Sequence, residues 1–355
     1  MGEEESIRTA IILGAGASSA DGASMKLLDA YLDLQPTRNP IIQELEERRP
    51  RVRSILEQLF PGNSIPQFEE LLSVIELAIQ RRETFRGYGG ELSLFVENRD
   101  ERDLRLAHED LVLSIAEVLA RKIGRNQYHK MFVQTLHDNG DLNNVVFLTT
   151  NYDILLDNSL THILSPSIRN ITIPNYGMNY EVDWVGQFCR SRIPLFKLHG
   201  SLNWLYCPRC IKIDLKPYSK SGYMPSYQTV PCSCGQNRLP VIIPPTPLKD
   251  INNPYLLQVW TSAEQELKSV DRFVFCGYSL PQADLQVKYL LKRAQINREN
   301  GRQPIEVFVM NNQFKKRKID SWMREQFENF FGEDNVTCLP RSFQNFAKKG
   351  LRILQ

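Results

Sequence analysis

Thr9-Ala10-Ile11-Ile12-Leu13 runs straight into Gly14-Ala15-Gly16-Ala17-Ser18-Ser19. A short apolar run that ends in a glycine-rich turn reads as a buried strand with a tight exit. The pattern recurs along the chain. Asn144-Val145-Val146-Phe147-Leu148 leads into Thr149-Thr150-Asn151, and Pro194-Leu195-Phe196-Lys197-Leu198 leads into His199-Gly200. Arg272-Phe273-Val274-Phe275 leads into Cys276-Gly277-Tyr278-Ser279, and Ile305-Glu306-Val307-Phe308-Val309 leads into Met310-Asn311-Asn312. Continuous apolar strands suit a parallel sheet buried on both faces, and such sheets bind ligands beyond the carboxyl ends of their strands. The polar residues collect at those ends here. The expected fold class is therefore α/β with a parallel sheet.

Between these strands the pattern changes. Residues 36–140 read as a mainly helical insertion. Glu69-Glu70-Leu71-Leu72-Ser73-Val74-Ile75 and His108-Glu109-Asp110-Leu111-Val112-Leu113 both carry helical apolar spacing. A second insertion, 206–239, holds the clustered cysteines. The whole chain, 1–355, reads as one catalytic domain with these two additions. Near the C-terminus, Asp320 to Phe331 is a candidate amphipathic helix whose default role is packing on the sheet.

Hydrophobic residues make up 42% and charged residues 24% of the 355, and the net charge is +2. So small a charge argues against direct nucleic-acid binding, and the run Lys315 to Lys318 reads as a solvated surface. No apolar stretch approaches a membrane span, and no secretory signal opens the chain. Met1-Gly2 with Ser6 has the spacing of a myristoylation site, but Glu3 to Glu5 would be repelled by anionic headgroups. The expected location is cytoplasmic, which the seven cysteines, four of them in two close pairs, also favour.

Gly14-x-Gly16 removes Cβ atoms from the turn, so the backbone could approach a pyrophosphate ahead of a helix N-terminus. A complete dinucleotide fingerprint has glycine where this chain has Ser19, and a ligand-free tight turn is the competing reading. No acidic residue closes a second strand about 20 residues on, which counts against an ordinary dehydrogenase. At the next strand ends stand Asn151, Asp153 and His199. A glycosidic bond that breaks through an oxocarbenium-like transition state needs mainly positioning and electrostatics. An amide such as Asn151 could orient a ribose hydroxyl or a water. His199 could take a proton, and Asp153 could hold a carboxamide. Each has a plain alternative. Asn151 could be a helix N-cap and His199 a core histidine bonded to backbone.

Cys207-Pro208-Arg209-Cys210 and Cys232-Ser233-Cys234 place two thiolate pairs on tight turns, with 21 residues between. That suits a tetrahedral, structural zinc, although the second pair is Cys-x-Cys rather than Cys-x-x-Cys.

Taken in order, Gly14-Ala15-Gly16-Ala17-Ser18, Thr149-Thr150-Asn151-Tyr152-Asp153, His199-Gly200, Gly277-Tyr278-Ser279 and Met310-Asn311 resemble the sirtuin motif series. The cysteine pairs resemble the sirtuin zinc module. The resemblance covers about residues 9–35 and 144–315, and it implies a Rossmann-like, sirtuin-like sheet. It also implies that Gly14, Ala15, Gly16 and Ser18 hold the pyrophosphate of NAD. Thr150, Asn151, Tyr152 and Asp153 would surround the nicotinamide ribose. His199 would match the catalytic histidine, Gly277 and Ser279 the later cofactor motif, and Asn311 the adenosine-side asparagine. Cys207, Cys210, Cys232 and Cys234 would hold zinc.

Some residues depart from the family. Thr150 stands where sirtuins carry Gln, and Tyr278 where they carry Thr. The Pro-Asp-Phe-Arg and Phe-Gly-Glu segments are absent, and Pro244-Pro245 follows the cysteine module. Proline gives no ladder hydrogen bond to a docking peptide. These departures disfavour deacylation and leave cofactor cleavage. The chain looks most like the sirtuin-like domains of bacterial antiphage defence proteins, many of which degrade NAD. The expected function is therefore NAD hydrolysis to nicotinamide and ADP-ribose. The alternatives are a sirtuin-type deacylase or ADP-ribosyltransferase, and a regulatory subunit that binds NAD or ADP-ribose. Control by self-assembly or by a partner such as a HerA-like ATPase is expected from the same resemblance.

Overall fold

The computed structural model describes residues 7–23, 49–62, 65–81, 100–122, 126–165, 167, 170–180, 187–207, 209–215, 232–236, 238–243, 253–298, 303–315 and 317–355. The N-terminal Met1-Gly2 motif and the Pro244-Pro245 segment lie outside these residues, as do parts of both insertions.

Ten strands are described: β1 (Thr9–Leu13), β2 (Val145–Thr149), β3 (Asn170–Asn175), β4 (Gln187–Lys197), β5 (Gly200–Cys207), β6 (Lys212–Leu215), β7 (Leu239–Ile242), β8 (Arg272–Cys276), β9 (Glu306–Met310) and β10 (Val336–Leu339). Seven form one sheet in the order β10-β9-β8-β1-β2-β4-β3. Every pairing in it is parallel, as the apolar runs predicted. All five residues of β1 and of β2 are buried, so both faces of the sheet centre are covered. In register, Ile11 lies between Phe147 of β2 and Val274 of β8.

The helices are α1 (Ala15–Ser18), α2 (Arg49–Leu59), α3 (Phe68–Arg81), α4 (Asp100–Lys122), α5 (Tyr128–Asp138), α6 (Leu155–Leu164), α7 (Pro254–Leu267), α8 (Leu285–Ile296), α9 (Arg317–Phe331) and α10 (Phe343–Lys349). Helix α5 packs on α6 and α10, while α7 lies over β2 and β4 and against α8. Helices α2, α3 and α4 build a second apolar core. Leu71, Leu72, Ile75 and Ala78 of α3 recur at helical spacing and are buried there. Tyr152, Leu202, Leu205 and Ile242 enter that same core from the sheet side. The helical unit is thus packed on the segments that follow β2 and β4. Strands β6, β5 and β7 form a small antiparallel sheet in that order.

From β1 the chain builds outward to β2 and β4 on one side, and from β8 to β9 and β10 on the other. The reversal lies between β1 and β8, which is where open α/β sheets take their ligands. The loop after β1 is anchored by Asp21, which lies in a 3-10 turn closed by Gly22 at φ 97. The Asp21 carboxylate accepts the N–H groups of Gln127, Tyr128 and His129 at 2.8, 2.9 and 3.0 Å, and His129 Nδ1 lies 2.7 Å away. A distant carboxylate therefore caps α5. Burial pushes the Asp21 carboxyl up, but the His129 hydrogen bond and the amides pull it down further, leaving it below its ordinary value. A carboxyl lowered by folding stabilises the fold above its unfolded pKa, and that contribution is lost as pH falls through the folded value. Asp21→Asn is expected to be destabilising at pH 7, with the gap to wild type shrinking below about pH 4. Urea unfolding at pH 7 and pH 3 checks this; an equal gap at both would contradict it.

Candidate functional site

The floor of the cleft is a contact between two loops. Gly14 N–H donates to the Cys276 carbonyl at 3.1 Å, and Gly16 N–H donates to the Gly277 carbonyl at 3.0 Å. A Cβ at position 14 would lie 2.5 Å from the Gly277 oxygen, and one at 277 would lie 2.2 Å from the Ala17 nitrogen. Gly277 also holds φ +68, a left-handed conformation that favours glycine. These glycines let the loops after β1 and β8 close on each other. The helix expected after the glycine turn is one turn long, α1, followed by the 3-10 turn.

The segment after β2 is fastened to this floor. Thr149 Oγ1 donates to the Leu13 carbonyl at 2.9 Å and accepts the Asn151 N–H at 3.0 Å. The Asn151 amide nitrogen donates to the Gly14 carbonyl at 2.9 Å and to Ser18 Oγ at 2.7 Å. Both its N–H donors are then used, so what Asn151 can offer a ligand is its acceptor oxygen. It is not a helix N-cap. Ile154 holds that position for α6, and Asp153 Oδ1 accepts the Leu155 N–H at 3.1 Å.

His199, at the end of β4, is 3% exposed and its Nε2 lies 3.1 Å from Asp284 Oδ1. The other Asp284 oxygen accepts the Tyr278 hydroxyl at 2.8 Å. An ionised carboxylate only accepts, so it places the imidazole proton on Nε2 and makes Nδ1 the acceptor of the neutral ring. A side-chain carboxylate thus holds the Nε2 edge of His199. Burial, with Asp284 adding, pushes the Tyr278 phenol well above its ordinary value, so it stays a donor. Gly200, at φ +86, follows the histidine; a Cβ there would sit 2.0 Å from the Val241 oxygen.

Beneath the site is a buried ion pair. The Lys197 ammonium is bonded to the Asp153 carbonyl and, at 2.9 Å, to Asp157 Oδ2. Tyr176 donates its hydroxyl to Asp157 Oδ1 at 2.6 Å. Lys197 and Asp157 have side chains 0% and 1% exposed. The pair ties the Asn151–Asp153 segment to β4 and α6.

These elements enclose an open cavity of about 860 Å³, counting the part that opens to solvent. Of the residues proposed from sequence, Ala15, Ser18, Thr150, Asn151, Tyr152, Asp153, His199, Gly277 and Ser279 line it. Gly14 and Gly16 lie behind the lining, against Gly277. Asn311 stands apart at the end of β9, bonded to the Leu339 carbonyl and to the Met323 sulfur. Sequence reasoning missed Ala23, Glu69, Leu119, Pro281 and Asp284. Asp284 lies seven residues after Gly277 with nothing in its spacing to mark it. Glu69 stood only within a stretch of helical apolar spacing.

The four cysteines converge. Cys207 and Cys234 sulfurs lie 3.6 Å apart and Cys210 and Cys232 3.7 Å apart, with all four within 4.8 Å of one another. A tetrahedral zinc with Zn–S bonds of ~2.3 Å has S···S edges of roughly 3.8 Å, so these thiols fit that ion. The Cys-x-Cys pair meets the geometry because Gly235 at φ +82 turns the chain and its N–H bonds the Cys232 carbonyl at 2.8 Å. Four thiolates leave no open position, so a metal here would be structural. The module sits at the far end of β5 from His199.

No family model matches this chain, and no curated protein matches it. Among solved structures, it is similar to a Sir2 enzyme described for its mechanism and regulation, at 15% identity and TM-score 0.40, covering 97% of this chain and 90% of that one. It is similar to Sir2 in complex with an inhibitor, 2'-O-acetyl-ADP-ribose and a deacetylated peptide, at 13% identity and TM-score 0.37, covering 98% and 93%. It is also similar to a Sir2 homologue mutant in complex with ADP-ribose, at 13% identity and TM-score 0.39, covering 97% and 90%. At these scores the likeness transfers no activity, and the chemistry has to be read from this chain's own residues. No helix among the described residues is long and apolar enough to cross a membrane.

Proposed function

We propose that this chain binds NAD at the carboxyl ends of β1, β2, β4 and β8 and hydrolyses its nicotinamide–ribose bond, releasing nicotinamide and ADP-ribose. The observation that supports this reading is that Asn151 and His199, from strands far apart in sequence, line one cavity at the point where the strand order reverses. Ala15 and Ser18 line the same cavity, and the pyrophosphate would lie against them. The Asn151 amide oxygen accepts a hydrogen bond from a ribose hydroxyl or from the attacking water. His199, oriented by Asp284, accepts a proton from a ribose hydroxyl, and Asp284 stabilises the imidazolium so formed. The phenols of Tyr152 and Tyr278, both pushed well up by burial, keep their protons and carry no charge into the site.

The test is nicotinamide release from NAD by the purified chain, with Asn151→Ala and His199→Ala beside it. Each substitution is expected to lower release by roughly 100-fold or more. Tight NAD binding without turnover in the wild type would instead favour a binding subunit. Uncontrolled hydrolysis would deplete the cell, so the proposal extends to an activity switched by self-assembly or by a partner protein, as in antiphage defence. Full activity of a monomer in light-scattering-coupled assays would count against that switch.

A further inference from the structure

Two carboxylates that line the cavity, Asp153 and Glu69, have no place in the scheme above. Glu69 lies in the first turn of α3, in the helical unit, and lines the same cavity as Asn151 and His199. Tyr152 links the two sides. Its ring centroid is 6.3 Å from that of His199, and its phenol feels the charges of both Glu69 and Asp284. The other nearby carboxylates are engaged. Asp284 holds His199 and Tyr278, Asp153 takes the Leu155 N–H, and Glu76 faces His108 at 3.1 Å. Among the described residues no other side chain bonds the Glu69 carboxylate. Its anchoring is firm, because Phe68, Leu71 and Leu72 beside it are buried in the core that Tyr152 and Leu202 share.

We propose that Glu69 is a catalytic residue, the general base that activates water for attack on the nicotinamide ribose. The inference rests on the hydrolase reading. In the step, the water oxygen bonds to the ribose anomeric carbon while the carbon–nitrogen bond to nicotinamide breaks. The bonding pair leaves on the pyridine nitrogen, which becomes neutral, and the water's proton passes to the Glu69 carboxylate and then to solvent. Burial raises the Glu69 carboxyl above its ordinary value, which makes its carboxylate a stronger base than a solvated one. His199 is left to the ribose hydroxyl. The helical unit then supplies one wall of the active site together with a reacting group.

The experiment compares wild type with Glu69→Gln, a variant of the same shape without the base. Nicotinamide release, NAD affinity by calorimetry and thermal unfolding are all measured, with and without sodium azide, a nucleophile that needs no deprotonation. The expected result is a fall in release of roughly 100-fold or more. NAD affinity should stay within about threefold and the melting temperature be unchanged, with azide restoring release in the variant. Wild-type release by Glu69→Gln overturns the proposal, as does a slow variant that azide fails to rescue. A wild-type chain that releases no nicotinamide would overturn the hydrolase reading first, so the two failures are distinct.

Discussion

Lys197→Ala is expected to destabilise the fold by about 3–5 kcal/mol, the range for breaking one side of a buried ion pair. Lys197 is fully buried, and its loss leaves the Asp157 carboxylate with the Tyr176 hydroxyl as its remaining described partner. It also strands the Asp153 carbonyl, whose hydrogen bond holds the segment that carries Asn151. Two penalties therefore coincide, an uncompensated charge and an orphaned backbone acceptor. A double variant, Lys197→Met with Asp157→Leu, separates them. Removing both charges should recover much of the stability, since an apolar pair of similar volume is often no worse than a buried ion pair. Activity should stay low in the double variant, because the Asp153 carbonyl remains unheld. Urea unfolding and nicotinamide release on the three chains decide the matter. A single variant within 1 kcal/mol of wild type would show that the pair is not the anchor described here.

Gly277→Ala is the second large effect. The added methyl would meet the Ala17 nitrogen at 2.2 Å, and the backbone at φ +68 is strained for any residue with a Cβ. Backbone is the obstacle, so no rotamer relieves it, and the loops after β1 and β8 must separate. The left-handed conformation alone costs of order 1–3 kcal/mol, and the collision adds to it. Gly140→Ala is the matched control. It has φ +77, with nothing within 4 Å of the new methyl, so it isolates the conformational part. Gly277→Ala should lose at least tenfold in NAD affinity, because Ala15, Ser18 and Ser279 all shift with the loops. Equal stability losses in the two glycine variants, with binding intact, would remove the contact between loops from the account.

What could be read from the sequence followed from repetition. The strand runs through Ile11, Phe147, Phe196, Val274 and Phe308 each carry the same apolar-then-polar signature, and burial on both faces is what such runs mean physically. The cysteine pairs were legible for the same reason, since two knuckles at close spacing have few other uses. Asn151 and His199 stood out because they end strands. Asp284 did not, because its role depends on the Tyr278 hydroxyl and the His199 ring meeting it in space. Glu69 was hidden more thoroughly. Its neighbours Leu71, Leu72 and Ile75 announce a helix, and only the docking of that helix beside Tyr152 brings the carboxylate to the cavity. Asn311 ends a strand as the others do; β9 lies two places from β1, and the Asn311 amide bonds the Met323 sulfur.

The placing of β1 between β2 and β8 has a consequence for synthesis. Strand β1 waits for a neighbour made far later, and the Arg8 amide bonds an Asp271 carboxylate 263 positions along the chain. Gly14 cannot meet Gly277 until that neighbour has emerged. A nascent chain therefore carries the loop after β1 without its β8 partner until residue 277 has emerged. Whatever chemistry the cleft performs, it begins only after residue 277 has been made and has met Gly14 and Gly16.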